Sequence, residues 1–226
     1  SQAALAQPAR ERELVDAVAA EPQEIRHYLE LADYYAGKDR VSDADRVLRD
    51  ALAAVDPLSR TVYERRILLY LDPFRPQVIG SIADAWLAVD GTSAVTALLA
   101  SGHRLRTASR LRGDGTGQSE REIDLGLQII DGAVPANPDV AEIRFMRSNL
   151  LQAGAALAAD PKQQRQWLEE AREAYRRGED LRKASDGRPA IGGALSGVIA
   201  GMTRMPPFGP PGAVRAPMVV PTPRLI

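Results

Sequence analysis

One helical hairpin constrains this chain more than any other feature. From Asn137 to Ala184, two long stretches of helical spacing flank the dipeptide Asp160-Pro161. In the first, Ile143, Met146, Leu150, Gly154 and Leu157 recur at steps of three and four, so they share a face. The second repeats the pattern with Trp167, Ala171, Tyr175, Gly178 and Leu181. Asn137 is placed to cap the first helix with Pro138 at its first position. Asp160-Pro161 stops that helix and starts the next. Trp167 and Tyr175 are expected to lock the two helices together. Such a hairpin cannot bury all its apolar surface alone; it needs a neighbouring hairpin.

The neighbours can be read upstream. A short amphipathic helix over residues 9–20 carries Leu14, Val15 and Val18. A helix over 24–36 follows, with Gly37 as a left-handed C-cap, then one from Ser42, as cap, to about Val55. Ser59–Leu71, Gln77–Val89 and Ser93–Leu111 continue the series. The loop Gly113–Gly117 (GDGTG) leads to a helix capped by Ser119. Asp56-Pro57 closes a pattern made of Tyr28, Leu31, Ala32, Tyr35, Ala44, Leu48 and Ala51. Small residues at 32, 44 and 51 let two helices approach closely, and the large ones fill the gaps between them. These positions resemble the tetratricopeptide repeat. Its second-helix signature recurs: the separations in Ala44, Leu48, Ala51 and Pro57 reappear in Leu125, Ile129, Gly132 and Pro138, and the first two in Ala171, Tyr175 and Gly178. The expected fold is all-α: a tetratricopeptide-like α-solenoid of about four helical hairpins, then an extended Gly/Pro-rich tail. The divisions are an N-terminal segment 1–20, a repeat domain 21–185 and a tail 186–226.

Composition narrows the function classes. A net charge of −1 gives no field that would gather nucleic acid. The chain has no cysteine, which removes disulfides, zinc–thiolate sites and thiol catalysis. No apolar run reaches the roughly 18–20 residues of a membrane span. The two histidines, His27 and His103, lie on different repeats and read as helix-surface residues. GDGTG lacks the lysine of a phosphate-binding loop, and its one carboxylate, Asp114, is too few for a calcium loop. The carboxylates of Glu169-Glu170 and Glu179-Asp180 sit among arginines on a solvated face. No nucleophile is paired with a base. The expectation is a non-catalytic protein with no cofactor and no metal. Ala4-Leu5-Ala6 before Gln7 has the small-x-small form of a secretory cleavage site, so an exported, periplasmic or extracellular protein is expected.

From Gly187 to Ile226 the composition changes to eight prolines, seven glycines, four arginines and no acidic residue. Gly193, Gly197 and Gly201 recur every four residues; on a helix they form a flat strip suited to close packing against another helix. That strip is the expected cap for the outer face of the last hairpin. Beyond Met205, recurring proline forbids helix. Phe208, Val219, Val220, Leu225 and Ile226 are the apolar anchors with which an extended tail would dock.

The stretch 21–184, and above all the hairpin 138–184, resembles secreted tetratricopeptide-repeat proteins of environmental bacteria. In some of these a proline-rich linker leads into a TonB-type C-terminal domain; Pro210–Ile226 is similar to the start of that junction. The resemblance implies an α-solenoid that binds protein, with no catalytic residue carried over. Leu29, Asp33 and Ala36 would line the concave face. Two functions are expected: a protein-interaction scaffold that self-assembles head-to-tail as a homo-oligomer through its tail, or a cell-envelope adaptor with the tail as a linker.

Overall fold

The computed structural model describes residues 2–71, 75–113, 117–188, 190–193 and 195–203, with side chains from residue 9 onward. The described residues form ten helices: α1 (Gln2–Ala20), α2 (Ile25–Ala36), α3 (Val41–Ala54), α4 (Arg60–Leu68), α5 (Pro76–Val89), α6 (Ala94–Leu111), α7 (Gln118–Ala133), α8 (Ala141–Leu157), α9 (Pro161–Ala184) and α10 (Ser196–Thr203). Four hairpins, α2/α3, α4/α5, α6/α7 and α8/α9, stack in chain order, with α1 packed on α2. The second helix of each hairpin touches the first helix of the next. This is the expected all-α stack of hairpins.

Two apolar cores meet at α4. Val62 belongs to the first, with Leu14, Tyr28, Leu31, Tyr35 and Leu48. Its neighbour Tyr63 belongs to the second, which runs from α4 to α10. Within the second core Tyr63 stacks on Trp86, centroids 5.2 Å apart and planes 2° from parallel. Leu52 packs against both cores and joins them. Outside the cores, Arg66 bonds Asp45 at 2.8 Å, tying α4 to α3 with both side chains largely covered.

Some helix ends follow the expected chemistry. The Asp160 carboxylate accepts from the Lys162 N–H at 2.9 Å with Pro161 in the first turn, and Ser93 accepts from the Thr96 N–H. Others depart from it. Asn137 caps nothing: α8 starts only at Ala141, and the Asn137 amide donates instead to the carbonyls of Ala133 and Thr92, at 2.9 and 2.7 Å. It satisfies an orphan carbonyl at the end of α7, which its donors do and a cap's acceptor would not. Gly37 is right-handed at φ −66°, and the left-handed residue of that turn is Asp39. α3 starts one residue before Ser42, at Val41, after Arg40, whose guanidinium is held by Glu11 and Asp43. Ser119 is buried and donates to the Ala108 carbonyl at 2.8 Å; Gly117, left-handed at φ 67°, holds the cap position.

The small-residue signature is real but sits one stripe over in α7 and differs by one member in α9. In α3, Ala44, Leu48 and Ala51 are buried as expected. In α7 the buried set is Gly126, Ile130 and Ala133, whereas Leu125 is 42% exposed. In α9 Ala171 and Gly178 are buried as expected, with Ala174 between them, whereas Tyr175 is 49% exposed and rests on Phe145. Equal spacings fit adjacent stripes of one helix, so spacing alone does not choose between them. Close approach does. A Cβ at Gly126 would lie 2.7 Å from Leu150 Cδ2, and one at Gly178 2.7 Å from Phe145 Cε1. Trp167 lies against Gly154, so it locks α9 to α8 as expected.

Candidate protein-binding face

The first helix of each hairpin, α2, α4, α6 or α8, has two sides that matter. One is held by second helices. On α6, Arg104 reaches Asp84 of α5 at 2.6 Å and Glu122 of α7 at 3.3 Å, and the Ser101 hydroxyl donates to the Gly126 carbonyl of α7. On α8, the Ser148 hydroxyl donates to the Ala171 carbonyl of α9 at 2.8 Å. Two residues along a helix is about 200° of rotation, so Gly102 faces away from Arg104. The side Gly102 faces is the candidate functional site.

That side is occupied. After α9 the chain turns through Ser185–Arg188. The Gly187 N–H donates to the Arg182 carbonyl at 2.8 Å, and Asp186 and Gly187 adopt positive φ of 53° and 74°. The chain then crosses the first helices. Gly193, at φ 95°, sits beside α4: a Cβ on it would be 3.7 Å from Arg60 Nη2 and 4.0 Å from Glu64 Oε1. α10 lies over α6 and α8. Ile191, Leu195, Ile199 and Met202 are all buried in the second core. Met202 fills the space that a side chain at Gly102 would take, its Sδ 2.7 Å from where a Cβ would stand; Met146 Cε is 3.4 Å from the same point. At the far end the Asn149 amide donates to the Thr203 carbonyl at 2.9 Å and satisfies one orphan acceptor of α10.

This placement corrects two expectations about the glycines. Among the described residues no glycine strip packs against a helix: Gly193 precedes α10, and a Cβ at Gly197 or Gly201 would meet nothing within 4 Å. Burying a Leu, Ile or Met side chain is worth roughly 1.5–3 kcal/mol, and a glycine has nothing comparable to bury, so the stripe Leu195–Ile199–Met202 turns inward. Nor does the segment cap the outer face of the last hairpin. There Leu168 and Tyr175 stay exposed, beside a depression of about 650 Å³ lined also by Gln152, Ala171, Arg172 and Arg176.

The other expected site residues divide in two. Leu29, Asp33 and Ala36 stand on α2, whereas α10 packs on α6 and α8. Asp33 pairs with Arg65 of α4 at 3.2 Å, linking two first helices, while Leu29 and Ala36 are half-buried against the first core. Phe208, Val219, Val220, Leu225 and Ile226 lie outside the described residues. The residues that sequence reasoning missed are Gly102, Asn149, Met146 and Met202. A glycine inside the apolar first-helix run 94–105 was the available signal.

His103 is not a surface histidine. Its ring lies against Gly80 of α5, and burial holds its pKa below the ordinary value, partly offset by Asp84 and Glu122. Among the described residues no group of three or more His, Asp or Glu side chains could hold a metal ion, and no helix is long and apolar enough to cross a membrane.

No protein-family model matches this chain, and no curated protein matches it. Among solved structures, a crystal structure of MamA is similar: it is 12% identical, with a TM-score of 0.49, covering 79% of this chain and 90% of that one.

Proposed function

We propose that this chain is a non-catalytic helical-repeat scaffold that binds a protein segment on the face formed by α4, α6 and α8. One observation carries the reading: that face already holds a peptide, the chain's own residues 191–203, through buried apolar side chains and a backbone hydrogen bond to Asn149. A short apolar helix laid across helices is a standard mode of peptide recognition. Peptides selected from a display library on the full-length chain test it. Their hydrogen-exchange footprints should fall on α4, α6 and α8. Footprints confined to α9, around Leu168 and Tyr175, would sink the assignment of the face.

A second reading, self-assembly through the C-terminal segment, has its own support. The segment hangs from a turn with two positive-φ residues, Asp186 and Gly187, and the same contact can be made between copies by exchange. Light scattering across a hundredfold concentration range tests it. An invariant monomer mass would count against exchange.

A further inference from the structure

We propose that residues 190–203 are a resident pseudo-ligand: a strap that closes the first-helix face until a partner helix of the same chemistry displaces it. The inference rests on the scaffold reading above and adds the partner's character and the regulation of the site.

The strap defines what the face accepts. From Ala190 to Thr203 it carries no charged residue. Its buried side chains follow the helical steps of Leu195, Ile199 and Met202, preceded by Ile191 across a glycine-permitted bend. A partner therefore presents Leu, Ile or Met at i, i+4 and i+7 of a short helix. One of these enters the opening above Gly102, which a larger residue on α6 would close. The last turn offers a free carbonyl to the Asn149 amide. A peptide with a charge at one of the buried apolar positions would be excluded, because the apolar core that receives Leu195, Ile199 and Met202 leaves that charge desolvated.

The strap is also built to leave. α10 has eight residues, too few to hold a helix without its docking surface. On its back, a Cβ at Gly197 or Gly201 would meet nothing within 4 Å among the described residues, so the described attachment is through one face. The attachment uses two flexible methionines, Met146 and Met202, which repack readily around a different occupant. The turn at Asp186–Gly187 closes the end of α9 with its own backbone hydrogen bonds, so α9 keeps its cap when the strap leaves. A closed strap lowers the apparent affinity of any competitor by the fraction of time the face is open.

The chain has no cysteine, so the double variant Asn149→Cys/Thr203→Cys can be bridged site-specifically with a cleavable bismaleimide. The probe is a fluorescein-labelled peptide with the sequence of residues 188–203, read by anisotropy on full-length protein. The bridged protein should not bind it, and reductive cleavage of the bridge should restore the binding of the unbridged protein. The variant Ile199→Ala/Met202→Ala, with a weakened strap, should bind at least tenfold more tightly than the parent chain. Equal binding by the bridged and unbridged proteins would overturn the strap as a gate and leave the scaffold reading standing. No binding by either variant, with helical circular dichroism intact, would overturn both. Should the weakened variant unfold, the bridged and cleaved arms still decide the question.

Discussion

Ile199→Ala separates a strap from a core element. Ile199 is 1% exposed, and its neighbours come from the second core. The substitution deletes three carbons; at about 0.8 kcal/mol each this is roughly 2.4 kcal/mol, and the residual cavity brings it to about 3. That energy is about a 150-fold change in the opening equilibrium of whatever unit contains Ile199. If the unit is the strap, amides of 195–203 exchange through an opening that leaves α6 and α7 closed, so in the parent chain they should already exchange faster than those of α6 and α7, and in Ile199→Ala about 100-fold faster still. The substitution destabilises the closed state itself, so α6 and α7 lose up to the same factor yet stay the more protected. Native-state hydrogen exchange with mass spectrometry reads both sets of amides at once. Equal opening free energies for the strap and for α6 and α7, in the parent and in the variant, would refute the reasoning. It would show that α10 opens only when the whole stack unfolds.

Three further outcomes follow from the stack. Asp45→Ala strands the largely buried Arg66 guanidinium and should cost about 2–3 kcal/mol, most of it recovered when Arg66→Met is added; a double-mutant cycle in urea measures the coupling. His103 has a folded pKa below its unfolded value of about 6.5, so the folded state binds fewer protons. Its contribution is complete above that pH and stability falls as pH drops below it, and His103→Gln should flatten the slope of urea midpoints between about pH 6.5 and 5. The shifted stripe on α7 predicts that Leu125→Gln changes stability by less than about 0.5 kcal/mol, whereas Ile130→Ala costs about 2–5 kcal/mol. Equal melting losses in that pair would restore the register read from spacing.

Legibility differed by kind of information. Apolar steps of three and four, with Asp-Pro at the turns, placed nearly every helix of the stack, because burial and proline act locally. Stripe choice in α7 was not local. It depends on Leu150 meeting Gly126, a contact between residues well separated in sequence. Caps failed for a related reason: Asn137 and Ser119 have side chains that suit a helix start, yet each serves a tertiary bond to an earlier segment. The candidate face was barely legible. Leu29, Asp33 and Ala36, expected to line a binding face, stand on α2 and outside it, and the glycine period at 193, 197 and 201 points to the wrong side of α10. Apolar residues between the glycines carry the docking, and no periodicity says which helices they dock on.

The central claim is that the C-terminal segment lies in its own chain's first-helix face, and Met202 reports on it most directly. The chain has four methionines, so methyl-labelled spectra are sparse enough to assign. The Met202 methyl should show nuclear Overhauser contacts to the Gly102 α-protons and the Met146 methyl. Those contacts should be absent from an isotope-filtered experiment on mixed labelled and unlabelled chains. A Met202 methyl with contacts only to residues of α9, or with contacts that appear only between chains, would contradict the account.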